Sequence, residues 1–399
     1  MKGWELVHLK DVCKLINGRA YNQAELLHEG KYPVLRVGNF FSNRSWYYSD
    51  LELDENKYCD DGDLLYAWSA SFGPRIWQGG KVIYHYHIWK TDLDLDRVYK
   101  RFLYYWFEWD TKRIKSEQGV GTTMIHVTKG AMEDRSLYLP PLLEQKQIVS
   151  IVDQAFEGID GAIVNTKENL TNARELFESY LNATFTQKGD GWIESKLSAV
   201  CKFQGGSQPP KSVFSAEKKE DYIRLIQIRD YKSDKYIVYI PKEKAKRFCK
   251  PDDVMIGRYG PPLFQILRGL EGAYNVALMK AIPNEEFVSK DFLFYFLKNR
   301  NILKYIINSS SRTAGQTGLN KVTIEPYPIA FPTLEKQAII VAQLQELKAE
   351  TQRLETIYQQ KLAALNELKQ SILQKAFTGE LTADTANQTT KKAEEAIAA

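Results

Sequence analysis

The chain has 399 residues, 44% hydrophobic and 26% charged, a composition that fits two or three folded domains and excludes a disordered protein. No stretch approaches the roughly 18–20 uncharged apolar residues of a membrane span. Met1-Lys2-Gly3-Trp4 runs on without a signal-peptide core, so a cytoplasmic protein with no membrane contact is expected. The net charge of +4 is unevenly spread: residues 190–331 hold 23 Lys and Arg against 15 Asp and Glu, whereas residues 1–141 hold 19 of each. That bias is compatible with a polyanionic partner.

Residues 1–141 read as a mixed α and β domain. Tyr32 to Val37, Asp63 to Trp68 and Lys81 to Tyr84 are short runs rich in β-branched and aromatic residues and predict strands. Val98 to Ser116, dense in aromatics with interspersed Lys and Arg, predicts a helix packed on the sheet. Residues 142–187 then predict one long helix. Leu142, Val149, Phe156, Ile163, Leu170 and Phe177 recur every seven residues, and Val152, Ile159, Ala173 and Tyr180 fill most positions three further on.

Residues 188–332 repeat the plan, with strands at Tyr222 to Ile228 and Asp253 to Gly257 and one helix over Lys290 to Ile307. Residues 333–380 form the second long helix. Ile340, Leu347, Leu354 and Leu368 make one row; Leu344, Tyr358, Leu365 and Ile372 make its neighbour, and Phe377 lies near the end. Each helix of about 43 residues would extend ~64 Å, too long to hide its stripe in one small domain. The economical arrangement is an antiparallel coiled coil with the globular units at its two ends. Ile148, Leu176, Ile339 and Leu373 lie off the seam and are expected on exposed outer faces. Residues 381–399 lose periodicity and predict a flexible tail.

The repetition is explicit in the residues. Ser179, Leu181, Phe185 and Thr186 return as Ser371, Leu373, Phe377 and Thr378; Trp4, Leu9, Val12, Cys13 and Lys14 return as Trp192, Leu197, Val200, Cys201 and Lys202. Cys59 and Asp63 match Cys249 and Asp253, and Phe102 to Tyr105 match Phe292 to Tyr295. A divergent duplication keeps packing positions and frees the loops to differ. The four cysteines fall in matched pairs without C-x-x-C spacing, which predicts buried core thiols and no zinc site.

Catalytic constellations are missing. No phosphate-binding glycine loop is present, and Pro261-Pro262 lacks the preceding acid or amide of an amino-methyltransferase motif. Asp60-Asp61-Gly62-Asp63 and Asp252-Asp253 precede strands and read as turns, not metal ligands. His85 and His87 alternate with Tyr84, Tyr86 and Ile88, so both are expected on one side of a strand as ordinary histidines. No catalytic or metal-binding residue is assigned.

The remaining polar signal suits binding. Gly205-Gly206-Ser207 is a turn able to bring backbone N–H groups to a phosphate. Loops after equivalent strands differ wholly in character, and Arg, Asn, Gln and Ser are residue types that read base edges. The candidate DNA contacts are Arg19, Tyr21, Arg36, Asn39, Ser69, Ser71, Arg75, Thr122 and Thr123 in the first copy. In the second they are Ser207, Gln208, Lys211, Gln227, Arg229, Arg258, Tyr259, Arg312, Thr313, Gln316 and Thr317.

Pro140-Pro141-Leu142-Leu143-Glu144-Gln145-Lys146-Gln147-Ile148-Val149 opens the first long helix, and Leu368 to Leu381, with Ser371-Ile372-Leu373 and Ala376-Phe377-Thr378-Gly379-Glu380, closes the second. With the W-x-x-x-x-L-x-x-V openings at Trp4 and Trp192, nearly the whole chain resembles the specificity subunits of type I restriction–modification systems. The first helix departs by ending Phe185-Thr186-Gln187-Lys188, and the second carries Lys336 where the pattern wants Gln.

The resemblance implies an α+β fold of two target-recognition domains, each followed by a long helix, the helices forming an antiparallel coiled coil with pseudo-twofold symmetry. It implies a non-catalytic subunit that recognises a bipartite, asymmetric target in double-stranded DNA. Two methyltransferase subunits and restriction subunits are the implied partners, and S-adenosylmethionine, ATP and magnesium belong to those partners, with no cofactor in this chain. A specificity subunit of a modification-only system and a coiled-coil protein-interaction scaffold are the alternatives; steep loss of affinity with salt separates a DNA reader from the scaffold.

Overall fold

The computed structural model describes residues 3–42, 45–69, 73–117, 126–260, 262–310 and 318–382. The residues group into two compact units, Met1–Thr166 with Gln360–Ala399, and Lys167–Gln359. Each unit therefore takes parts of both long helices.

In chain order the first unit contains β1 (Glu5–His8), β2 (Cys13–Asn17), β3 (Tyr32–Leu35), α1 (Val37–Phe41), β4 (Tyr47–Ser49), β5 (Tyr58–Cys59), β6 (Leu64–Ala67), β7 (Gly73–Ile76), β8 (Val82–Tyr84), β9 (Ile88–Leu93), α2 (Lys100–Glu117), α3 (Lys129–Glu133) and β10 (Ser136–Leu139). The first long helix, α4 (Leu142–Thr186), begins in this unit. One sheet runs β2-β9-β6-β7, all antiparallel; the other runs β4-β3-β8-β5, with β3 and β8 parallel. β1 and β10 form a separate antiparallel pair. Helix α2 closes the core, burying Phe102, Leu103, Trp106, Phe107 and Ile114.

The second unit repeats this order as β11 (Ile193–Lys196), α5 (Leu197–Val200), β12 (Cys201–Gly205), β13 (Tyr222–Ile226), β14 (Tyr239–Pro241), β15 (Phe248–Cys249), β16 (Val254–Gly257), β17 (Gln265–Leu267), β18 (Gly272–Tyr274), β19 (Leu278–Pro283), α6 (Lys290–Leu297), α7 (Arg300–Ser310), α8 (Lys321–Ile324), β20 (Pro328–Phe331) and α9 (Leu334–Phe377). Its sheets run β12-β19-β16-β17 and β14-β13-β18-β15, the same topology as in the first unit. The helix predicted over Lys290 to Ile307 is broken in two. Buried Asn299 causes the break: its Oδ1 accepts from the N–H groups of Asn301 and Ile302, starting α7, while its Nδ2 donates to the Phe296 carbonyl at the end of α6.

Matched residues do matched work. The Asp63 carboxylate accepts from Asp60 N–H and pairs with Lys90 at 2.7 Å; Asp253 accepts from Lys250 N–H and pairs with Lys280 at 3.0 Å. The acidic runs are thus turns tied to the neighbouring strand, as their place before β6 and β16 implies. Cys13, Cys59, Cys201 and Cys249 are all free and buried, and burial pushes the Cys249 and Cys201 thiols up to about 11 and about 12.

The long helices are fixed to their domains by one glutamine each. Gln145 is fully buried: its Oε1 accepts from Tyr99 N–H at 2.7 Å, and its Nε2 donates to the carbonyls of Arg97 and Pro140 at 2.8 Å. Gln337 does the same with Ser289 N–H, the Phe287 carbonyl and the Pro332 carbonyl, at 2.9, 2.7 and 2.9 Å. The glutamine expected at Lys336 is therefore present one residue later, and the two helix openings align through Gln145 and Gln337.

From these glutamines a seven-residue row runs inward along each helix. Val152, Ile159, Thr166 and Ala173 are buried, as are Leu344 and Thr351. Thr166 and Thr351 spend their hydroxyls on carbonyls of their own helix, those of Ala162 and Lys348. The row through Leu142, Phe156, Ile163, Leu170 and Phe177 is only half-buried, as are Ile340, Leu347, Leu354 and Leu365. Only Val149 of the first row is buried.

Within the first unit Glu144 meets Thr382 and Asp160 meets Lys369; within the second Arg174 meets Glu355 and Tyr180 meets Gln343. In both units α4 and α9 therefore run antiparallel.

Three exposure expectations are corrected. Ile148 and Leu373 are buried at 1% exposure in the first unit's core, because here each helix faces a globular domain as well as its partner helix. Leu368, placed on the seam by its spacing, is 48% exposed. Leu176 and Ile339 are exposed as expected.

The repeated closing motif also has a packing reason. Phe185, ending α4, packs on Phe292 and Phe296 at 5.3 and 5.5 Å; Phe377, ending α9, packs on Phe102 and Trp109 at 5.2 and 5.4 Å. No described helix is long and apolar enough to cross a membrane. The residues assigned to the flexible tail lie, beyond Thr382, outside the described part.

Candidate nucleic-acid interface

The loop after β2, the start of α1, the end of β6 and the turn joining β8 to β9 meet at one end of the first unit. The turn is Tyr84-His85-Tyr86-His87-Ile88. His85 and His87 are therefore on a reversal of the chain and not along one face of a strand. Gly18 sits against its underside, where a Cβ would collide with the carbonyl oxygens of Tyr84 and His85. Tyr84 is buried below and donates its hydroxyl to the Asn56 carbonyl at 2.7 Å.

Four of the candidate contacts gather around this turn. Arg19 bridges to His85 through the backbone and binds Glu25 with both terminal nitrogens, at 3.0 and 2.7 Å. Tyr21 stacks on His85 at 6.3 Å and supports the Arg19 guanidinium at 5.3 Å. Arg36 precedes α1 and lies over the Tyr47 ring at 4.9 Å. Ser69 bridges to His126.

Beside Ser69, Trp68 packs edge-on against His87 at 5.0 Å and donates its indole N–H to the Tyr86 carbonyl at 2.8 Å. Burial, with help from His87 and Arg36, pushes the His85 imidazole down to about 4; burial also lowers His87. Both rings are thus neutral near neutral pH, each with one donor and one acceptor nitrogen.

That depression has a stability consequence. Between pH 6.5 and about 4 the unfolded chain takes up a proton that folded His85 refuses, so stability present above the ordinary histidine range falls as pH drops through this window. The melting temperature should decline across it, and His85→Asn should make the decline shallower. Superimposable pH profiles would show that His85 does not titrate in this way.

The second unit builds the same place with other residues. Gly206 seats under the turn Tyr274-Asn275-Val276-Ala277-Leu278, and a Cβ there would collide with the Asn275 carbonyl oxygen. The expected phosphate-binding amides are consumed: Gly206 N–H donates to Leu278 O and Ser207 N–H to Tyr274 O, at 3.0 and 3.1 Å. The glycine serves close packing.

Arg258 spends its guanidinium on the Leu319 carbonyl at 2.9 Å, the Val276 carbonyl at 3.1 Å and Asn320 Oδ1 at 3.4 Å. Tyr259 is 43% exposed beside it. Gln227 precedes a short turn and donates its N–H to Asp230 at 3.0 Å. Gln208 and Lys211 are exposed, and Arg229 lies over Tyr236 at 5.5 Å.

Asn39 is buried with its amide on the Ser45 carbonyl, and exposed Arg75 donates to the Phe40 carbonyl. Ser71, Thr122, Thr123, Arg312, Thr313, Gln316 and Thr317 lie outside the described residues. Trp68, His85, Tyr86, His87, Asn275 and Val276 are the positions that reading by residue type passes over. The signal was available: the retained pairs Tyr84/Tyr274 and Lys90/Lys280 bracket a five-residue segment, 85–89 against 275–279, in which no residue is shared between the copies.

The family model described as "Type I restriction modification DNA specificity domain" matches residues 1–171 and again 189–364. The chain is similar to the type I restriction enzyme EcoBI specificity subunit of Escherichia coli, with 24% identity over 95% of this chain and 86% of that one. It is similar to the MjaVIII specificity subunit of Methanocaldococcus jannaschii, with 26% identity over 89% and 86%.

Among solved structures, a chain from work on complex assembly and conformational transition of the type I R-M system gives a TM-score of 0.76 at 20% identity, over 96% of this chain and 99% of that one. An HsdS subunit from Thermoanaerobacter tengcongensis gives 0.55 at 20% identity, over 95% and 98%. At that identity the structures speak to fold.

Proposed function

Because the chain belongs to the family of type I restriction modification DNA specificity domains, and carries two of them, we propose that it reads a bipartite, asymmetric sequence in double-stranded DNA, one half-site per unit. As a specificity subunit it supplies recognition, and the chemistry falls to its partners. These are two methyltransferase subunits that modify adenine with S-adenosylmethionine, and restriction subunits that use ATP and magnesium. Its place of action is the cytoplasm, where the DNA is.

One observation carries the asymmetry: a retained framework presents unlike residues at equivalent tips. The Asp63–Lys90 and Asp253–Lys280 pairs, the Gly18 and Gly206 seats and the two buried glutamines recur, while His85-Tyr86-His87 gives way to Asn275-Val276-Ala277. Identical tips would imply a palindromic target; unlike tips imply two different half-sites.

The test is to exchange residues 1–141 for the corresponding domain of another specificity subunit and sequence the methylome of cells carrying the complete system. One half of the modified motif should change, with the other half and the spacing kept. A change in both halves, or in neither, would exclude recognition by separate units.

A further inference from the structure

Trp68 and Arg258 occupy equivalent positions after β6 and β16 and have nothing chemical in common except a planar N–H donor. Each donates it to the same place. The Trp68 indole binds the carbonyl of Tyr86 at 2.8 Å, and the Arg258 guanidinium binds the carbonyl of Val276 at 3.1 Å. Their backbone carbonyls are matched too: Trp68 O accepts from Val127 N–H at 3.3 Å and Arg258 O from Leu319 N–H at 3.0 Å. Their N–H groups donate to the carbonyls of His87 and Ala277. Two unlike side chains have been fitted to one task, bracing the turn against the segment that leads into the next short helix.

The braced residues are the ones that differ. Tyr86 is 36% exposed at the apex of the first turn and Val276 is 39% exposed at the apex of the second. His85, Tyr86 and His87 offer neutral donors and acceptors, whereas Val276 offers only apolar contact of the kind that suits a thymine methyl. Neither turn carries an acid that phosphates would repel. From below, Gly18 and Gly206 close off any room for the turns to sink. A turn held from two sides, with its apex residue exposed and its flanking residues half-buried, is a place where specificity can be rewritten without disturbing the core.

Resting on the DNA-recognition reading above, we infer that residues 85–87 and 275–277 determine the base preferences of the two units, with Tyr86 and Val276 at the DNA, and that Trp68 and Arg258 are positioning residues acting through those turns. Arg258, a base-reading type by composition, is on this view a brace whose donors are already committed.

The experiment uses the complex assembled with its methyltransferase subunits. Methyl transfer is measured on duplexes carrying the cognate sequence or single base changes in either half-site. Wild type, Trp68→Phe, Tyr86→Ala and the double variant are compared. Tyr86→Ala, at an exposed apex, keeps the test open if Trp68→Phe proves too unstable to assemble.

Both single variants should lose roughly tenfold discrimination at the half-site of the first unit and keep it at the other. The double variant should be no worse than Tyr86→Ala, since a residue that acts only through Tyr86 has nothing further to lose. Arg258→Leu and Val276→Ser should repeat the pattern at the other half-site. Unchanged discrimination, equal losses at both half-sites, or additive losses in the double variant would each overturn the inference. A wild-type complex that fails to distinguish cognate from altered duplexes would instead remove the DNA-recognition reading beneath it.

Discussion

Gln145→Leu should destabilise the first unit by about 3–5 kcal/mol, an effect far above that of an ordinary surface substitution. The side chain is fully buried and makes three hydrogen bonds, all to backbone: Tyr99 N–H, Arg97 C=O and Pro140 C=O. Leucine fills the volume but satisfies none of them. Each orphaned buried group costs about 1–3 kcal/mol, discounted where a carbonyl finds water. Because Tyr99 immediately precedes α2, the loss also frees the start of the long helix from the domain it follows. Thermal unfolding should show a fall of roughly 10 °C in melting temperature, given ~2–4 °C per kcal/mol for a unit of this size. Gln337→Leu should behave alike in the second unit, through Ser289, Phe287 and Pro332. A melting temperature within about 2 °C of wild type in both would show that the glutamines are not structural ties.

Gly206→Ala is expected to have the second-largest effect, of about 2–3 kcal/mol, and to be felt at one tip. The added methyl meets the Asn275 carbonyl oxygen, which is backbone and cannot swing aside like a flexible side chain. Relief requires the turn 275–277 to shift, which also stretches the bonds from Gly206 to Leu278 and from Ser207 to Tyr274. Differential scanning calorimetry should show the loss of stability. Methylation assays on altered duplexes should show weakened preference at the half-site of the second unit, with the other intact. Gly18→Ala is the mirror experiment for the first unit. If Gly206→Ala left both stability and base preference untouched, the close seat under the turn would be wrong.

Much of this architecture is legible in the chain because packing positions repeat. Phe102 and Phe292, Asp63 and Asp253, and the closing Phe185 and Phe377 mark the duplication, and the heptad rows mark the helices. The misreadings along the long helices share a cause: periodicity says which residues face together, not how many neighbours a helix has. Ile148 and Leu373 lie off the seam yet are buried at 1% exposure, since in the first unit a globular domain covers a second face of the pair. Leu368 lies on the seam yet is 48% exposed. The break at Asn299 was hidden because asparagine inside an apolar run carries no warning until its side chain is seen capping α7. At the tips, residue type misled. Arg19 and Arg258 look like readers of bases, but their donors are taken by Glu25 and by loop carbonyls. The Tyr-His run that forms the exposed turn looked like a strand.

The closing Phe377 has a consequence for how the protein is made. It stacks on Trp109 and meets Phe102, both from the first third of the chain, while Leu373 and Ala376 complete the same core. At roughly 5–20 residues per second, a nascent chain carries Phe102 for on the order of tens of seconds before Phe377 leaves the ribosome. The domain that carries Phe102 is thus made well before the helix that finishes it, and a stop codon placed ahead of Leu373 would injure a core some 270 residues upstream.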